Sequence, residues 1–138
     1  MKIKLGQKKY FNISIDTFDV DISFFINYSY EEMLEYTKRK KLKILNEYLQ
    51  GFNDYEEEYG EEEDGVEARM YPLKQGYAVR FKFYKDSFRL NLSNVCHEIN
   101  HLVNWILMDR RINLTKDNDE VFAYLTEEII NKFLFKWY

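Results

Sequence analysis

Two histidines and one glutamate carry the first chemical signal: His97-Glu98-Ile99-Asn100-His101, preceded by Cys96, reads HEINH. Residues four apart on a helix stand one above the other on one face. That spacing lets His97 and His101 reach one tetrahedral Zn2+ at about 2.0–2.1 Å each. Glu98, offset by about 100°, lies beside the metal, where a carboxylate can take a proton from a zinc-bound water. These are the only two histidines in the chain, and both fall in the one motif that uses two.

A catalytic zinc needs a third protein ligand and an open fourth position. Glu120, 19 residues beyond His101, opens the pattern Asp119-Glu120-Val121-Phe122-Ala123-Tyr124 and is the candidate. A helix start also explains an acid there, because Asp117 and Glu120 stand at capping-box spacing. Both readings stay open. Cys96 is the only cysteine, so a disulfide within the chain is impossible and a reducing, cytoplasmic compartment is expected. Adjacent helical residues point apart, so Cys96 is expected to be a small buried or half-buried residue rather than a nucleophile paired with His97.

Stepping outward, the positioning elements show as changes of hydrophobic period. From about Tyr10 to Ile26 apolar and polar residues alternate, as in two strands with one solvated face. Ser29 and Glu32 fit a capping box, opening a helix that should run to Gln50 before Gly51 stops it. Asp54 to Gly65 is a block of like charges, expected to be a mobile loop. Ala68 to Leu92 looks like a hairpin or meander, with a turn at Lys74-Gln75-Gly76 and alternation continuing through Phe88, Leu90 and Leu92. Two helices follow, from about Asn94 to Asp109 and Asn118 to Phe135. On the first, Val95, Ile99, Leu102 and Ile106 form an apolar stripe. The histidines lie nearly opposite with Asn94, Trp105 and Met108, so packing from two sides is expected. The expectation is one α+β domain over residues 1–138: an antiparallel sheet, three main helices, and a metal site between the last two.

Composition narrows the function classes. A hydrophobic fraction of 46% in 138 residues is enough for one core. A net charge of −4 leaves no electrostatic footprint for nucleic acid. No apolar run is long enough for a bilayer, and MKIKLGQKKY is not followed by the apolar segment of a secretory signal.

The segment from Asn91 to Phe135 resembles the gluzincins, HExxH metallopeptidases whose third ligand is a Glu on a following helix. More narrowly, the chain is similar to small HExxH proteins of bacteriophages and mobile elements. Val95-Cys96-His97-Glu98-Ile99-Asn100-His101, Arg111-Ile112-Asn113-Leu114-Thr115 and Asp117-Asn118-Asp119-Glu120-Val121-Phe122-Ala123-Tyr124-Leu125 carry the likeness. The N-terminal half matches in outline only. The resemblance implies a zincin-like core, zinc on His97, His101 and Glu120, Glu98 as general base, and a peptide or protein substrate. Where larger gluzincins often place an Asp, four residues after the ligand Glu, this chain has Tyr124, which could support a ligand or the oxyanion; Arg80 and Asn94 are weaker oxyanion candidates. The resemblance also implies a substrate-pairing edge strand, for which Tyr77 to Tyr84 is the candidate. The competing reading is a binding or virion-associated protein with a structural or vestigial zinc site.

Overall fold

The computed structural model describes residues 6–59 and 68–137. Its elements are β1 (Lys9–Ile15), β2 (Val20–Ile26), α1 (Tyr30–Arg39), α2 (Lys43–Gln50), α3 (Asn53–Tyr59), β3 (Ala68–Leu73), β4 (Gly76–Phe81), α4 (Phe88–Asp109) and α5 (Asp119–Trp137). The architecture is α+β around one four-stranded sheet of order β1-β2-β4-β3.

The sheet is mixed, not antiparallel throughout. β1 pairs antiparallel with β2, and β3 with β4, but β2 and β4 run parallel, with Phe24 opposite Val79. A parallel pair cannot be closed by a tight turn, and here the chain passes from β2 through α1, α2, α3 and then β3 before it enters β4. That crossover also explains why β2 is buried on both faces, where alternation alone suggested one wet face. Ile22, Phe24 and Ile26 join the cluster under α4 and α5, while Phe25 joins Tyr30, Met33, Leu49 and Tyr71 on the other side. Helices therefore cover the sheet from both faces. β4 lies so close to β2 that a Cβ on Gly76 would stand 1.9 Å from the Asp21 carbonyl oxygen.

The Ser29–Glu32 capping box forms as expected: each side chain bonds the other residue's backbone N–H at 3.1 Å. The single helix expected to Gln50 instead breaks into α1 and α2. Lys41 takes φ 59°, the Leu42 N–H returns to the Thr37 carbonyl at 2.9 Å and the Lys41 N–H to Lys38 at 3.1 Å. This is a Schellman closure with lysine where glycine is usual, which hid it from the sequence. Asn46 then ties the two helices, donating to the Leu34 carbonyl and the Thr37 hydroxyl at 2.9 Å each.

Two further expectations need correction. Phe88, Leu90 and Leu92 are not strand residues, because the Ser87 hydroxyl caps Leu90 N–H at 3.2 Å and starts α4 six residues before Asn94. The acidic block is not simply a loop: its first part, to Tyr59, is α3, while residues 60–65 lie outside the described residues. Glu56 accounts for this. It is buried, accepts from the Tyr71 hydroxyl at 2.6 Å, and lies 3.5 Å from Arg69 and 3.6 Å from Arg80. A like-charge run was expected to avoid burial, but one of its acids meets two guanidinium groups on β3 and β4.

Candidate metal centre

α4 carries the motif and is fixed on three sides. Val95, Ile99, Leu102, Val103, Ile106 and Leu107 bury its inner face in the main core. At its N-terminal end the buried Asn91 side chain accepts from Tyr84 N–H at 2.7 Å and donates to the Tyr84 carbonyl at 2.8 Å. At its C-terminal end the Tyr77 hydroxyl of β4 donates to Asp109, and the Tyr77 ring lies 5.9 Å from Trp105. Burial and the bond to Asp109 both push the Tyr77 phenol pKa up, so that link stays protonated. Nothing in the sequence announced it, since residues 32 apart carry no periodic signal. α5 packs along α4, with Phe133 set against Phe11, Phe24 and Phe81.

On the outer face of α4 the two imidazoles meet. Their rings are T-shaped at 79° with centroids 4.8 Å apart, and Nε2 of His97 stands 3.2 Å from Nε2 of His101. Two nitrogens at about 2.0–2.1 Å from a tetrahedral ion are separated by about 3.3–3.4 Å. The 3.2 Å between the two Nε2 atoms is close to that separation. The same distance suits an N–H···N hydrogen bond when one ring carries its proton on Nε2. Glu98, half-buried, puts Oε1 4.0 Å from Nε2 of His97, beside the pair rather than in line with it.

Other expected residues sit differently. Glu120 and Tyr124 lie one turn apart on α5, both exposed; the Asn118 carbonyl accepts from Val121 and Phe122 N–H, so Asn118 flanks the helix start. Among the described residues no three His, Cys, Asp or Glu side chains gather into a metal-holding group. His97, His101 and Glu98 are thus brought together, and Glu120 is not gathered with them. Packing over the histidines from a second side is also not found among the described residues. The His97 side chain is 69% exposed and Met108 67%; on that face Trp105 leans on the sheet. Cys96 is exposed, not buried.

The substrate-strand expectation is corrected by topology. β4 is paired on both edges, so it cannot take a peptide backbone; among the described residues the sheet edges belong to β1 and β3. β3 is the edge flanking β4, the strand to which α4 is tied. Arg80 is removed from the oxyanion candidates, because it faces the opposite helical layer and engages Glu56 and Tyr71. Asn94 stays on α4, one turn before His97, partly buried. Among the described residues no helix is long and apolar enough to cross a membrane. Comparison with protein-family models, with curated proteins and with solved structures returns no match to this chain.

Proposed function

We propose that the chain is a zinc-dependent metallopeptidase acting on a peptide or protein substrate. The observation that carries this reading is the 3.2 Å separation of the two Nε2 atoms, with a half-buried carboxylate next to them. His97 and His101 hold the ion through Nε2, which requires each ring to keep its proton on Nδ1. Glu120 is the third ligand in this reading; its exposed side chain at the start of α5 is not committed to the core. When bound, the zinc supplies Lewis acidity and brings the pKa of a coordinated water to about 7. Glu98 accepts the proton from the attacking water and returns it to the leaving amine. Tyr124, one turn beyond Glu120 on α5, is the oxyanion donor in this reading.

The exposure of the histidine pair favours a second reading, a zinc-binding protein without catalysis. One experiment separates them. Metal content is measured in the wild type, His101→Ala, Glu120→Ala and Glu98→Gln, and hydrolysis of a mixed peptide library is followed in parallel. The peptidase reading expects zinc at background in His101→Ala, lowered in Glu120→Ala and retained in Glu98→Gln. It also expects the Glu98→Gln rate to fall by about 10²–10⁴-fold. Bound zinc with no cleavage by the wild type supports the second reading, and a wild type without zinc overturns both.

A further inference from the structure

The outer face of α4 repeats itself in reverse. Leu90, Asn94, His97, His101, Asn104 and Met108 follow one another at spacings of four, three, four, three and four, symmetric about the buried Ile99. Leu opposes Met across that centre, Asn opposes Asn, and His opposes His. The spacing keeps all six on one helical stripe, about 27 Å long. The stripe is open at its ends and its centre: Leu90 is 43% and Met108 67% exposed, His97 and His101 are exposed, and Asn94 and Asn104 between them are half-buried.

A stripe of this kind is self-complementary under a two-fold axis, the requirement of an isologous interface. Two antiparallel copies of α4 crossing at Ile99 would set Leu90 of each against Met108 of the other. Both histidine pairs would then face the axis. Each pair spans two vertices of a tetrahedron, so two pairs fill all four. We infer that two copies of this chain share one zinc ion through His97 and His101, with Leu90 and Met108 closing the seam on either side. The inference rests on the zinc-binding reading of the same histidines and goes beyond it. An ion held by four imidazoles has no position left for water, so the shared form is latent and the chain with its own ion is the competent one. The apolar contacts are two Leu–Met pairs, too few to hold a dimer alone, so association depends on the metal.

The test titrates zinc chloride into the metal-free full chain up to half an equivalent per chain, following mass by light scattering and bound zinc by elemental analysis. The expected result is a doubling from 17.0 kDa at one zinc per two chains, reversed by EDTA. Met108→Glu alters an exposed residue that is not a ligand. It should still bind zinc while weakening the dimer tenfold or more. A chain that binds zinc and stays monomeric overturns the shared site but leaves the metal reading standing. A chain that binds no zinc overturns both. A dimer that survives EDTA, or that Met108→Glu leaves equally tight, overturns the metal-bridged antiparallel seam.

Discussion

Replacing Glu56 tests how α3 is held to the sheet. Its side chain is 5% exposed and sits between Arg69 at 8% and Arg80 at 16%, while its Oε1 accepts from Tyr71. Glu56→Ala removes a negative charge that these two guanidinium groups share and strips the Tyr71 hydroxyl of its acceptor. Removing one partner of a buried pair costs about 3–5 kcal/mol. Arg80 retains some contact with water, and Arg69 lies 5.2 Å over the Tyr55 ring, so both keep some compensation. The lower end, about 3 kcal/mol, is therefore expected. An unfolding entropy of about 2.1 cal/mol/K per residue over this chain turns that into a Tm fall of about 10 °C. Glu56→Gln keeps an acceptor for Tyr71 and should lose about 2 kcal/mol. Glu57→Ala, one residue along on the exposed side of α3, is the control and should change stability by less than about 0.5 kcal/mol. Urea unfolding followed by far-UV circular dichroism measures all three. If Glu56→Ala and Glu57→Ala lose equally little, α3 is not clamped by this cluster and the burial argument is wrong.

Gly76→Ala should cost at least about 2 kcal/mol, because the new Cβ meets the Asp21 backbone, and neither strand can shift without loosening the β2–β4 pairing; a Tm within 2 °C of wild type, about 0.6 kcal/mol over this chain, would refute that. Stability should also fall at alkaline pH. Burial is the largest cause raising the phenols of Tyr30, Tyr71 and Tyr77, with Tyr30 pushed up to about 12. The folded chain therefore holds these protons more tightly than the unfolded one. Their contribution is fully present below pH 10 and is lost as the pH rises from 10 towards 12. Absorbance titration at 295 nm checks this. These three of the chain's 12 tyrosines should ionise only with unfolding, and normal titration of all 12 in the folded chain would refute it.

What was legible in the sequence was local. The HEINH spacing brings two imidazoles onto one helical face whatever surrounds the helix, because 3.6 residues per turn is a property of the backbone. The Ser29–Glu32 box opens α1 for the same reason: its partners are three residues apart. The two-period runs of β1, β2 and β4 and the α+β class followed from which atoms alternate. Tertiary structure decided everything that depends on residues far apart in the chain. β2 and β4 became parallel neighbours through a connection that contains three helices and β3, which put the expected substrate strand in the middle of the sheet and left β3 at the edge. Glu56 became a core residue only because Arg69 and Arg80 arrived from two strands. Lys41 took a left-handed turn that its own side chain does not favour, because Thr37 and Asn46 tie α1 to α2. The exposure of His97 and His101, and the position of Glu120 away from them, depend on how α5 is docked on α4. That docking is set by Phe133 and its aromatic neighbours from β1, β2 and β4, residues with no spacing relation to the motif, so the motif could specify a bite for a metal but not how the set is completed.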